Sequence, residues 1–344
     1  MKPSRGIVLV LALAAGCGGS DLPPLTSATS LACPTPGPLP FRLDSTGYQV
    51  ASNAALVMND PRNKDEAGDT IGNPNGKLAN IYLADTAAVQ AMPLAYRGAK
   101  ARTTLANGLF SNPLAGENVS LWTYESDAWM PLGRTQTGDD GTYTLDGTGY
   151  VAPAGQPVYA LLEADGSCAA HYDYLYPAGE KIVVSDIDGT LTTNDGEFDI
   201  QLGDATYVPK MMGAADKLAQ AWDAKRYPIV YLTARPHTVR VESRGWLDAL
   251  GFPTGPLITA VTVEEASAYK TAWLRRMVND FGWTIVAAYG NATTDITAYE
   301  NAGIPKAQTF IVGPEGGKSG TVAIPNMDFT DHIATYVAAQ PANH

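Results

Sequence analysis

The pattern of apolar and polar positions changes character near residue 180 of this 344-residue chain. Before that point, short β-prone runs recur: NVSLWTYE (118–125), WMPLGRTQT (129–137), TYTL (142–145) and PVYALLEA (157–164). Gly and Asp clusters separate them, GDDG at 138–141 and ADGS at 164–167. Runs of this length with turn formers between them predict a β-sandwich-like domain over 41–180. After that point, apolar runs alternate with helical periodicity. IVVS (182–185), PIVYLT (228–233), LITAV (257–261), TIVAAY (284–289) and QTFIV (308–312) read as buried strands. Met211, Ala215, Leu218 and Trp222 fall at helical spacing, as do Tyr269, Trp273, Met277 and Phe281, and 236–250 and 264–281 suit helices. Strands alternating with helices predict an α/β fold over 181–344, with a doubly wound parallel sheet. Such sheets bind ligands beyond the carboxyl ends of their strands, so the residues after each strand are the first candidates for chemistry.

The N-terminus follows another logic. MKPSRGIVLVLALAAGC carries Lys2 and Arg5, an apolar stretch from Ile7 to Ala15, and small residues before Cys17. It has the shape of a secretory signal and resembles a bacterial lipoprotein signal over 1–17, in which Cys17 receives the lipid. Ordinary secretion is the alternative. Residues 18–40, rich in Gly, Ser, Thr and Pro, read as a flexible tether. The expectation is a lipid-anchored protein on the periplasmic or extracellular face of the cell envelope. Gly18, where an acidic residue would favour inner-membrane retention in some bacteria, tips it towards the outer membrane. With Cys17 lipidated, Cys33 and Cys168 remain, a candidate disulfide in an oxidising compartment, with two separate thiols as the alternative.

Composition narrows the field. The formal net charge of -12 argues against a nucleic-acid partner, because phosphate backbones demand a basic surface. It does not oppose an anionic substrate, since a local cation overrides the global sign. A polar patch at 59–76 holds Asp60, Asp65, Glu66 and Asp69, but without EF-hand spacing. It reads as a solvated loop rather than a Ca²⁺ site. His171 and His237 read as packing or surface residues.

The chemistry lies at the strand ends. After the first strand of the α/β region comes Asp186-Ile187-Asp188-Gly189-Thr190, and after the second comes Thr233-Ala234-Arg235. Lys270 lies on the helix before the fourth, and after that strand comes Gly290-Asn291-Ala292-Thr293-Thr294-Asp295. Each piece alone has a bland reading as a capped turn, a β-branched filler or a surface charge. In this order they resemble the haloacid-dehalogenase (HAD) superfamily of aspartyl-phosphate phosphatases.

The resemblance implies roles. Asp186 is the nucleophile. Asp188 protonates the leaving oxygen and later activates water. Thr233 and Lys270 hold phosphate oxygens. Asp186, the backbone carbonyl of Asp188, and Asn291 or Asp295 form a hard oxygen shell for Mg²⁺. Arg235 stays open between a phosphate or headgroup contact and a structural ion pair. Within the superfamily, SDIDGTLTTND, YLTARPHTVRVESRGWL, YKTAWLRRM and YGNATTDITAYENAGIP resemble the catalytic domain of lipins, Mg²⁺-dependent phosphatidate phosphatases. A related domain occurs in Nir-type phosphatidylinositol-transfer proteins, which generally lack the nucleophile; here both aspartates are present. The resemblance covers roughly 181–316, with the β-rich region in place of the lipin amino-terminal domain.

The spacing leaves little chain for a large cap, which suits a bulky or membrane-embedded phosphomonoester, although a flap within 191–210 has room to cover the pocket. The expected function is a Mg²⁺-dependent phosphatase for phosphatidate or another lipid phosphate. The alternatives are a phosphatase for a soluble or polymer-borne phosphate, and a non-catalytic lipid-binding module.

Overall fold

The computed structural model describes residues 24–28, 63–67, 69–81, 89–91, 96–104, 111–113, 115–139, 141–145, 150, 152, 156–163, 168–203, 207–236, 240–260 and 266–344. Cys17, Cys33, Asp60 and His237 lie outside them.

The C-terminal half is built on a six-stranded sheet of β1 (Lys181–Ser185), β2 (Ile229–Pro236), β3 (Leu257–Ala260), β4 (Thr284–Gly290), β5 (Thr309–Val312) and β6 (Val322–Ile324). Their spatial order is β3-β2-β1-β4-β5-β6, and every pairing is parallel. The helices include α1 (Gly196–Gly203), α2 (Ala215–Ala224), α3 (Arg240–Ala249), α4 (Ala266–Asn279) and α5 (Thr293–Asn301), and a further helical segment, Thr330–His332 continued by Ile333–Val337, follows the sheet.

The alternation of side chains along each strand feeds two cores. Ile182 and Val184 of β1 pack with Trp273, Leu274 and Met277 of α4 and Tyr299 of α5. Val183 points the other way, to Leu218 and Trp222 of α2 and Trp246 of α3. Both faces are covered, so the strands are apolar throughout rather than alternating. The strand order reverses between β1 and β4, and the crevice for a ligand opens at such a reversal.

Among the described residues the β-rich region holds three four-stranded sheets. Asn118–Glu125 and Ala128–Gln136 form an antiparallel hairpin, extended by Val158–Leu162 and Cys168–His171. Tyr96–Thr104 carries a second sheet with Asn63–Ala67, Ser111–Pro113 and Tyr143–Leu145. Thr70–Gly72, Lys77–Asn80, Val89–Ala91 and Asp173–Leu175 make the third. Residues 24–28, inside the stretch expected to be a free tether, are docked. Ala28 pairs with Trp129, and Leu25 packs on a cluster of Trp122, Trp129 and Tyr159. Burial of these apolar side chains outweighs the turn-forming composition around them.

The boundary expected at 180/181 is crossed by one continuous core. Ile71, Ala79, Ile81, Tyr172 and Tyr174 share a buried cluster with Ile182, Val230, Trp273, Phe281 and Trp283. The junction is also polar. Asp69, 0% exposed, accepts from Arg240 Nη2 at 2.6 Å and from the Tyr172 backbone N–H at 2.8 Å. The solvated-loop reading of this patch is therefore corrected at Asp69, which is an interior ion-pair partner; Asp65 and Glu66 lie on the strand Asn63–Ala67.

Candidate active site

The site forms where β1 and β4 end side by side. Asp186 follows β1, with its backbone N–H bonded to the carbonyl of Tyr289 on β4. The chain then turns through Gly189, whose φ of 68° lies in the left-handed region that glycine tolerates best. A Cβ there would lie 1.9 Å from Asn291 Nδ2 and 2.6 Å from Asp195 Oδ1, so the glycine also clears a path for two side chains.

Three charges meet in the crevice. Lys270, reaching in from α4 and 4% exposed, donates 2.7 Å hydrogen bonds to Asp186 Oδ1 and to Asp295 Oδ1. Asp295 Oδ2 accepts the backbone N–H groups of Asn291 and Ala292, each at 3.1 Å. Gly290 permits this approach, since a Cβ there would sit 2.6 Å from Asp295 Cβ. Asp186 Oδ2 is less engaged: the Thr190 hydroxyl lies 3.3 Å away, and that hydroxyl is also 3.5 Å from Asn291 Oδ1.

Two carboxylates share one ammonium in a dry place, and their protonation reflects it. Burial pushes the Asp186 carboxyl up to about 7; Lys270 pulls it back, and Asp295 and Asp188 add to the rise. Burial works against the Lys270 ammonium, yet Asp186 and Asp295 outweigh it and hold it above its usual value. The triad is thus short of positive charge.

Asp188 has a different setting. Arg235 Nε lies 3.1 and 2.9 Å from its two carboxylate oxygens, and Nη2 lies 2.7 Å from Oδ1. The Thr233 hydroxyl donates to Oδ2 at 3.4 Å and accepts the Arg235 backbone N–H at 3.1 Å. The remaining Arg235 nitrogen, Nη1, donates to Gln201 Oε1 at 3.3 Å and Ser243 Oγ at 3.2 Å. The guanidinium also lies over the Phe198 ring, 4.6 Å from its centroid. Arg235 is 2% exposed and aims its donors at protein groups, so here it is an ion-pair partner of Asp188 rather than a group facing a ligand.

Phe198 and Gln201 lie on α1, within the 191–210 stretch that has room for a flap. Glu197 ties the start of that stretch to its end. It accepts the Thr193 hydroxyl at 2.8 Å, the Asn194 amide at 3.3 Å, the Lys210 backbone N–H at 2.7 Å and the Tyr207 hydroxyl.

Asp186, Asp188, Thr233, Lys270, Asn291 and Asp295 therefore converge on one crevice, and Arg235 backs it. Gln201, Phe198 and Glu197 carry no sequence signal that marks them, whereas Ser243 lies in the motif YLTARPHTVRVESRGWL. Asp195 ends the motif SDIDGTLTTND and was legible only as part of that string. Arg244, next to Ser243, is structural: it is buried, and its Nη2 donates to the Gly255 carbonyl at 2.7 Å. Cys168 is disulfide-bonded.

Among the described residues no three His, Cys, Asp or Glu side chains form a metal cage. The donor set nonetheless fits Mg²⁺, which takes one or two carboxylates and keeps several waters. Asp186 Oδ2 and Asn291 Oδ1 are oxygens turned to a common hydroxyl, beside a triad with one carboxylate in excess. Asp295 fits less well as a direct ligand, because Lys270 and two backbone N–H groups take its oxygens.

Comparison with known proteins places this region in context. Residues 183–313 match the family model described as PITM 1-3, LNS2 domain. Membrane-associated phosphatidylinositol transfer protein 3 of Mus musculus is 29% identical over 237 residues, 67% of this chain and 23% of that protein. Protein retinal degeneration B of Drosophila melanogaster is 30% identical over 163 residues, 47% of this chain and 12% of that protein. The chain thus spans less than a quarter of these relatives' length. Residues 181–344 are 164 of 344, under half of the chain, so a match over 67% takes in part of the β-rich region too. Among solved structures, a chain of the Pnkp1/Rnl/Hen1 complex is similar at a TM-score of 0.32 and 12% identity, covering 43% of this chain and 53% of that one; similarity at that level carries no argument.

Proposed function

We propose that the chain is a HAD-type, Mg²⁺-dependent phosphomonoester hydrolase that works through a phosphorylated Asp186 on a lipid phosphate such as phosphatidate. The observation that carries this reading is the unequal treatment of the two aspartates at the reversal of strand order. Asp186 is bound on one oxygen by Lys270 and only loosely on the other, whereas Asp188 is fixed on both oxygens by Arg235. A nucleophile needs a free oxygen, and an acid–base group needs a fixed position.

In this mechanism a carboxylate oxygen of Asp186 attacks phosphorus in line as the alcohol oxygen leaves. Asp188 hands that oxygen its proton, then takes one from the water that opens the acyl phosphate. Lys270 offsets charge on the phosphoryl oxygens and on Asp186. Asp186, the Asp188 carbonyl and Asn291 would hold Mg²⁺, which when bound neutralises phosphoryl charge. Asp295 holds Lys270 in place. The lipid character of the substrate is supported by relatives named as membrane-associated phosphatidylinositol transfer proteins. Attachment to a cell-envelope membrane through Cys17 accords with it.

A second reading, a lipid-binding module without turnover, is favoured by one observation. Lys270 spans Asp186 and Asp295 while Arg235 covers Asp188, an arrangement that neutralises much of the cleft from within. The deciding experiment measures phosphate release from phosphatidate vesicles and from a soluble chromogenic phosphomonoester, each with Mg²⁺ and with chelator. Release that needs Mg²⁺ and disappears in Asp186→Asn is the expected result. No release from either substrate, with vesicle binding retained, would establish the module instead. Release from the soluble ester alone would remove the lipid from the proposal.

A further inference from the structure

Asp195 has no part in the chemistry above, yet its carboxylate stands at the mouth of the crevice, and Asn291 Nδ2 donates to its Oδ1 at 3.0 Å. An ionised carboxylate only accepts hydrogen bonds, and an amide has one accepting end and one donating end. Asp195 therefore dictates which end of Asn291 faces outward. With Nδ2 on Asp195, Oδ1 is turned to the Thr190 hydroxyl, the same hydroxyl that lies 3.3 Å from Asp186 Oδ2.

The surroundings are built for this contact. Gly189 has no Cβ, and one would collide with both partners, at 1.9 Å from Asn291 Nδ2 and 2.6 Å from Asp195 Oδ1. The turn carrying Asp195 is pinned on both sides. The Thr192 hydroxyl accepts the Gly189 N–H at 2.9 Å and donates to the Asn194 carbonyl at 3.1 Å, and Glu197 gathers Thr193, Asn194 and Lys210. The contact also explains the residue type at 291. An aspartate there would set two like charges about 3 Å apart, whereas asparagine turns the same approach into a hydrogen bond.

We infer that Asp195 is a positioning residue that locks the Asn291 amide with its oxygen towards the cation site, so that the turn carrying Asp195 sets the divalent-cation affinity of the crevice. Partners one shell away from a ligand commonly change metal affinity 10- to 100-fold when lost. The inference rests on the Mg²⁺ site proposed above.

The test is direct binding of Mn²⁺ to the full chain, followed by calorimetry without substrate. Asp195→Ala is expected to weaken binding by roughly 10- to 100-fold. Asp195→Asn keeps an acceptor and is expected to stay within about threefold of the parent, which separates orientation from charge. In an Asn291→Asp background either end of residue 291 accepts, so Asp195→Ala should there leave binding unchanged or improve it. Equal affinity for the parent and Asp195→Ala would overturn the inference and leave the phosphatase reading standing. So would equal weakening by Asp195→Ala in both backgrounds, or an Asp195→Asn as weak as Asp195→Ala. Absence of Mn²⁺ binding by the parent would overturn the inference and the metal in the proposed function together.

Discussion

Two buried clusters of charge lie in this molecule, and they are built to opposite ratios. In the crevice, Lys270 serves two carboxylates, Asp186 and Asp295. At the junction with the β-rich region, Arg240 pairs with Asp69, and the buried Arg244 lies close enough to feel Asp69, Asp248 and Tyr174. The first cluster lacks positive charge; the second has enough. Desolvation penalises both, and only pairing and hydrogen bonding offset it. The junction is matched in charge on folding, and Arg240 ties Asp69 and the Ala170 carbonyl of the β-rich region to α3. The crevice is left unfinished, and its cheapest completion is a proton on Asp186 or a cation beside it. A difference in stoichiometry thus separates a weld at the junction from a crevice with negative charge to spare.

The comparison breaks or sharpens through substitutions of similar kind at the two places. The largest effect is expected at the junction. Asp69→Ala strands Arg240 in the interior and should lower unfolding free energy by about 3–5 kcal/mol in a urea titration; a loss under about 1 kcal/mol would show that the pair is not a weld.

Asp186→Asn should act in the other direction. The amide can still accept from Lys270 and donate to Thr190, and it removes the surplus charge. With a folded value of about 7 against an ordinary value of 3.8, the Asp186 carboxyl contributes stability that is lost as pH rises through about 7. In chelator at pH 8 the variant should therefore be more stable than the parent by on the order of 2–4 kcal/mol, with the difference closing towards pH 4. A variant that is less stable at pH 8 would mean that the crevice carries no excess charge.

A third buried network, neutral throughout, serves as the reference. Trp222 Nε1 donates to the Tyr289 hydroxyl at 2.9 Å, and that hydroxyl is 2.9 Å from His332 Nε2. Burial pushes His332 down to about 4 from 6.5, so its contribution is intact above about 6.5 and lost as pH falls through about 4. The parent should lose about 2–3 kcal/mol more than His332→Asn across that interval, read by unfolding at a series of pH values.

What the sequence made legible, and what it hid, follows from the range of the forces involved. The parallel-sheet strands were visible because burial on both faces writes continuous apolar runs, and β1, β2, β4 and β5 fall on them. The crevice was visible because its members sit at strand ends in a fixed order. The junction was not. Asp69 lies in a polar, turn-rich stretch, and only a guanidinium 171 positions later shows that it is interior. Gln201 and Phe198 were hidden for the same reason, since each acts through Arg235 and neither belongs to a local pattern. Strand β6 was missed because three residues with two exposed leave too little periodicity to read.

The core that runs unbroken from Ile71 to Trp283 also bears on descent. A C-terminal half spliced onto a foreign front end would arrive with Trp273, Phe281 and Trp283 bare unless the segments around Ile71, Ala79 and Tyr174 came along. Shuffling by whole modules would therefore expose that core, and the similarity to the mouse relative, over 237 residues, is longer than the C-terminal half alone.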